Sequence, residues 1–181
     1  MPPVNKTAQI DASLSMLSTM TFPLAESGYY VMPVALVNEM FKHNCLTSPE
    51  EIRDVPLDTL RNIFGVDAAL YTDITSYSTT YKVLDSITTV TANAKLVDLK
   101  HGEVLWTGSA SASSAEQNNN NNGGLAGMLI SALVKQIAGS VSDESHRHAS
   151  LTSNRLLGAG RQNGVLYGPR SPQYGQDAAK Q

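Results

Sequence analysis

The sequence is short of most of the residues that chemistry and cross-linking rely on. It has a single cysteine, Cys45, in 181 residues, so neither an internal disulfide nor a cysteine-based zinc site can form. Cys45 closes a helical pattern among apolar residues, which predicts a buried, inert thiol, because a reactive one needs an electropositive and exposed setting. Basic residues are not in excess: 13 Lys and Arg stand against 16 Asp and Glu, a formal net charge of -3. That balance excludes the broadly basic face of a nucleic-acid binder, and no nucleic-acid partner is expected. No apolar run reaches the ~20 residues of a membrane-spanning helix. There is also no nucleophile elbow, no phosphate-binding glycine loop and no HExxH pattern. Gly158-Ala159-Gly160 follows no strand and opens no helix, so it reads as loop.

What the sequence does have is a long hairpin pattern from Ser86 to Ser113. Val90, Ala92, Ala94 and Leu96 alternate with Thr89, Thr91, Asn93 and Lys95, the period-2 signature of a half-buried strand. Leu99 to Glu103 connects it, through Gly102, to a second strand beginning at Val104, with Trp106 as the largest anchor.

Upstream, Met1-Pro2-Pro3-Val4-Asn5 reads as the end of a strand, and a targeting segment is expected before it. Asp11 is placed to cap a helix whose Ile10, Leu14, Leu17 and Met20 share a face. Tyr29 to Met32 is a strand candidate, and Val34 to Asn44 is helical. Ser48-Pro49-Glu50-Glu51 has the form of a capping box with proline at the first helical position. Leu57, Leu60, Ile63 and Phe64 line a further short helix that Gly65 stops. On the strand from Val66 to Tyr77, Ala68, Leu70, Thr72 and Ile74 share one face, and Tyr71, Asp73 and Tyr77 the other.

After Ser113 comes a low-complexity stretch with five consecutive asparagines, Asn118 to Asn122, which predicts a flexible loop over 114–124. The helix from Leu125 to Ser140 is broader in its apolar stripe than docking on one sheet requires. Leu125, Met128, Leu129, Ala132, Leu133 and Ile137 are therefore candidate contacts of a homodimer or higher homo-oligomer, with a deep core position as the alternative.

The order is β-α-β-α-(α)-β-β-β-α, an α+β fold with a mixed sheet of about four to five strands, a βαβα start and helices packed on the sheet. Residues 1–141 form the expected domain, and 142–181 a C-terminal helical extension with a Gly/Pro-rich tail. In that extension His146 and His148 fall at i and i+2 of a helix and face apart, so no shared metal is expected. Tyr71, Asp73 and Tyr77 either pack under a covering helix, the favoured reading, or form a ligand surface.

Several segments also carry a resemblance. Val97-Asp98-Leu99-Lys100-His101-Gly102-Glu103-Val104-Leu105-Trp106 is similar to the D-x-x-x-G-x-x-x-W hairpin of small bacterial envelope lipoproteins. That group includes the curli-secretion lipoprotein and the lipoprotein activators of penicillin-binding proteins, with a domain similar to the amino-terminal domain of TolB. Together with Met1 to Asn5, Pro49 to Asp67 and Gly164 to Arg170, the hairpin resembles a neisserial-type family of proteobacterial outer-membrane lipoproteins. The resemblance implies a TolB amino-terminal-like fold, a lipidated cysteine upstream and attachment to the outer membrane. It supplies no catalytic residues, no cofactor and no metal. The function it implies is non-enzymatic: an accessory protein–protein interaction component of an envelope assembly or transport system. The alternative is a periplasmic module binding peptidoglycan or a transported solute. The long alternating apolar segments of a membrane pore are missing from the sequence.

Overall fold

The computed structural model describes residues 1–81, 86–118 and 141–177. Its elements are β1 (Val4–Asn5), α1 (Ala12–Glu26), α2 (Val34–His43), α3 (Pro49–Arg53), α4 (Leu57–Phe64), β2 (Ala68–Tyr81), β3 (Ser86–Asp98), β4 (Val104–Ser113), α5 (Ala115–Asn118) and α6 (Val141–Leu157). The sheet has four strands in the order β1-β2-β3-β4. β1 runs parallel to β2, and the other pairs are antiparallel. The chain is therefore the α+β mixed-sheet fold that its patterning predicts.

The β3–β4 hairpin shows why its connector has that sequence. The Asp98 carboxylate accepts the His101 backbone N–H at 2.7 Å, and Gly102 takes the positive φ of +75° that the turn needs. That backbone bond is the main reason the Asp98 carboxyl lies below its ordinary value. Trp106 pairs with Leu96 on the inner face. The indole lies where a Cβ at Gly108 would otherwise stand, so this strand position needs glycine.

The inner face carries the main core. Leu70, Ile74, Tyr77, Val90, Ala92, Ala94, Leu96 and Trp106 meet Ala12, Met16 and Met20 of α1 and Ala149, Leu156 and Leu157 of α6. The core-facing side of α6 is built largely from small residues at helical spacing: Ser145, Ala149, Thr152, Ser153 and Leu156 are all buried. Two of these hydroxyls are satisfied across the interface. Thr152 Oγ1 donates to the Val90 carbonyl at 3.1 Å, and Ser153 Oγ lies 2.7 Å from Thr19 Oγ1. Val165, in the extended segment that follows, is also buried in this cluster. A second, smaller cluster joins Phe41, Ile52 and Leu60 of α2–α4 to Ala69, Tyr71, Val97 and Leu99 at one end of the outer face. The capping box at Ser48 forms as its sequence predicts, with Glu51 N–H donating to Ser48 Oγ.

Several local expectations are corrected. Tyr29 to Met32 is not a strand, so the start is β-α-α-α-α rather than βαβα. Its neighbourhood is pinned instead by the C-terminal segment: Gly168 N–H donates to the Ser27 carbonyl, Arg170 N–H to the Gly28 carbonyl, and Tyr29 Oη to the Leu166 carbonyl. The buried face of α1 is Ala12, Met16, Met20 and Pro23, whereas Ile10 is 89% and Leu14 71% exposed. Ile63 on α4 is exposed, and Cys45, held at φ 60° just past α2, is exposed rather than buried. The self-association patch Leu125, Met128, Leu129, Ala132, Leu133 and Ile137 lies outside the described residues, as does the loop from 119 to 124.

Candidate functional site

The outer face of the sheet differs in kind from the inner one. Register places Tyr71, Lys95 and Thr107 in one row, then Asp73, Asn93 and Ser109, then Ser76, Thr91 and Ser111, then Ser78, Thr89 and Ser113. Apart from Tyr71 these side chains are polar, and none is fully buried. In the two hydroxyl-rich rows the groups satisfy one another across strands. Thr91 Oγ1 lies 2.9 Å from Ser111 Oγ, and Thr89 Oγ1 lies 3.1 Å from Ser113 Oγ.

The two rows beside the α2–α4 cluster form an open groove of about 530 Å³, lined by Arg53, Tyr71, Asp73, Asn93, Ala94, Lys95, Thr107, Gly108, Ser109 and Asn163. Each part has a local cause. The β pleat delivers the alternate residues of β2, β3 and β4 to this face. Arg53 reaches it because the capping box fixes where α3 begins and so where its last residue ends. Within the groove Asp73 is shared by two cations: Arg53 Nη2 stands 2.7 Å from Oδ1, and Lys6 Nζ 3.4 Å from Oδ2. Partial burial works to raise the Asp73 carboxyl, but the hydrogen bonds and charges of Arg53 and Lys6 outweigh it and hold the pKa below the ordinary value. The Tyr71 ring forms the floor, with the Arg53 guanidinium 5.9 Å and the Lys95 ammonium 5.4 Å from its centroid. Burial raises the Tyr71 phenol, and Arg53 opposes that rise.

Of the three residues expected on a common ligand surface, the structure brings together Tyr71 and Asp73 and separates Tyr77 from them. A β-bulge between Ile74 and Ser76 leaves Thr75 as an extra residue, which turns Tyr77 to the inner face. There its hydroxyl donates to Ser15 Oγ at 2.6 Å, and Ser15 Oγ in turn lies 2.8 Å from His146 Nδ1. This chain of hydrogen bonds ties β2, α1 and α6 together. His148 points the other way, buried, with Nδ1 donating to the Glu144 carbonyl. The sequence pattern does not single out Arg53, Asn93, Lys95, Thr107, Ser109 or Asn163 as site residues. The outward positions of Asn93 and Lys95 follow from the β3 alternation, while nothing local marks Arg53 or Asn163 as their neighbours. Among the described residues no group of three or more His, Cys, Asp or Glu side chains is placed to hold a metal.

A second exposed feature lies on the solvent side of α1, where Ile10, Leu14 and Phe22 are uncovered.

Fold and groove together define a small α+β domain with one packed sheet face and one that, among the described residues, is open beyond the α2–α4 cluster. The chain belongs to the family described as "Putative lipoprotein GNA1162-like", whose model matches residues 1–170. It is 45% identical over 169 residues to "Putative lipoprotein NMB1124/NMB1162" of Neisseria meningitidis serogroup B, covering 93% of this chain and 78% of that protein. The crystal structure of lipoprotein GNA1162 from Neisseria meningitidis aligns with TM-score 0.61 at 48% identity, over 77% of this chain and 96% of that one. The PelC dodecamer from Paraburkholderia phytofirmans aligns with TM-score 0.48 at 13% identity, over 87% of this chain and 85% of that one. Membership of a lipoprotein family associates the chain with the cell envelope. No helix among the described residues is long and apolar enough to cross a membrane.

Proposed function

We propose that the protein is a non-enzymatic, outer-membrane-anchored lipoprotein that acts as an accessory component of an envelope assembly or transport system through contacts with proteins, including copies of itself. The observation that carries this reading is the solvent face of α1. Ile10, Leu14 and Phe22 are 89%, 71% and 67% exposed on one helix and its approach, beside buried Ala12, Met16 and Met20. Apolar groups gathered on a surface, rather than scattered, mark a contact site. A photo-crosslinking residue at Leu14 or Phe22, introduced in living cells, tests it. A discrete protein adduct that is absent when the crosslinker replaces Lys100, on the exposed hairpin turn, supports the proposal. Identical adduct patterns at all three positions, or none, contradict it.

A second reading, a periplasmic ligand-binding module, is favoured by the groove that joins Tyr71 and Asp73. Its volume lies within the ~300–1,000 Å³ of small-ligand sites. The test is thermal stability with peptidoglycan fragments: a rise that saturates with concentration supports this reading, and no rise at millimolar ligand contradicts it.

A further inference from the structure

We infer that the groove takes an acidic saccharide, a sugar carrying a carboxylate. This rests on the ligand-binding reading and deepens it. The first ground is charge. Two cations, Arg53 and Lys95, line the groove against one carboxylate, Asp73. Asp73 is already bound by Lys6 and Arg53. Lys95 has no carboxylate partner among the described residues and makes only the contact with the Tyr71 ring. The groove therefore lacks one negative charge, and the place for it is beside the Lys95 ammonium. A ligand carboxylate there gains a charge-assisted hydrogen bond.

The second ground is hydrogen-bonding capacity, and it is independent of the first. In the neighbouring rows the Ser and Thr hydroxyls bond to one another across the strands. In the groove rows the side chains of Asn93, Thr107 and Ser109 make no hydrogen bond to any described residue, and all three are exposed. A carboxamide and two hydroxyls supply donors and acceptors together, which suits the hydroxyls of a sugar. The remaining surface is strand backbone at Ala94 and Gly108, whose side-chain positions face the inner core, and the aromatic ring lies beneath the cations. No apolar socket is presented that would select an amino-acid side chain.

The test is an amide NMR titration of the whole chain with four probes: trigalacturonate, the neutral galactose trimer, acetate and hexaglutamate. The expected result is saturable shifts at Asn93, Lys95 and Ser109 with trigalacturonate alone. Lys95→Gln should weaken that binding at least about tenfold and Ser109→Ala a few-fold, as loss of a charged and a neutral hydrogen bond would. Both side chains are exposed, and unchanged spectra elsewhere report that the variants fold. Equal binding of the neutral trimer overturns the inference while leaving the ligand-binding reading in place. Equal binding of acetate overturns the sugar requirement, and binding of hexaglutamate in place of trigalacturonate overturns the saccharide. Silence with all four probes overturns both the inference and the reading beneath it.

Discussion

The two faces of one sheet obey different rules in this molecule. On the inner face Ile74, Val90 and Ala92 are fully buried beneath α1 and α6. On the outer face the residues next to them in sequence, Thr91 and Asn93, meet solvent or hydroxyl partners. Both faces share the same strands and the same backbone ladder, so the difference lies in the alternate side chains alone. Burial on one face supplies stability. The other face is free to carry polar groups whose exchange costs little, as a surface for recognition requires.

Changes that swap the faces have the largest expected effect. Deleting Thr91 shifts every residue beyond it by one and drives Asn93 and Lys95 toward the core, so the variant is expected not to fold by circular dichroism. Deleting Thr75 removes only the extra residue of the bulge and leaves Tyr77 on the inner face, so that variant folds. Next comes Ile74→Ala, which empties a fully buried site and is expected to cost about 2–5 kcal/mol in urea unfolding. Tyr77→Phe removes the hydroxyl bonded to Ser15 and is expected to cost about 0.5–1.5 kcal/mol. Ser111→Ala on the outer face is expected to fall within about 0.5 kcal/mol of the parent.

Acid sharpens the same contrast at the groove. The Asp73 pKa lies lower in the folded chain than in the unfolded one, because Arg53 and Lys6 outweigh the effect of burial. Its contribution to stability is complete above the unfolded value of about 4 and is lost as pH falls through the folded value. Asp73→Asn should therefore flatten the acid limb of the stability-versus-pH curve below about pH 4, relative to the parent. Parallel acid limbs in the two proteins would show that the two ion pairs contribute nothing.

Much of this arrangement is legible in the sequence because strands announce their faces every second residue. Asp98, Gly102 and Trp106 mark the turn and its anchor, and the alternation on β3 identifies both of its faces. Legibility fails where the signal is not hydrophobicity. α1 carries apolar residues on two sides, and the side chosen for the core contains Ala12, whose small size permits close approach. α6 looks polar, yet Ser145, Thr152 and Ser153 are buried because their hydroxyls find partners or their bulk is small. The bulge leaves one trace, a spacing of three rather than two between the apolar positions Ile74 and Tyr77. That spacing has meaning only through the register of β2 against β3. Arg53 joins the groove through tertiary placement, for which no local pattern exists.

Among the described residues the inner face is sealed, and the outer face is open beyond the α2–α4 cluster. Thiol labelling rates in a Cys45→Ser background test this most directly, with single cysteines placed at Ala92, Ser109 and Ser111. The expected result is that Ser109→Cys and Ser111→Cys react nearly as fast as an unfolded-chain thiol, while Ala92→Cys reacts only through unfolding and is slower by orders of magnitude. Protection at 109 and 111 comparable to that at 92 would mean that the outer face is covered, and would contradict the account.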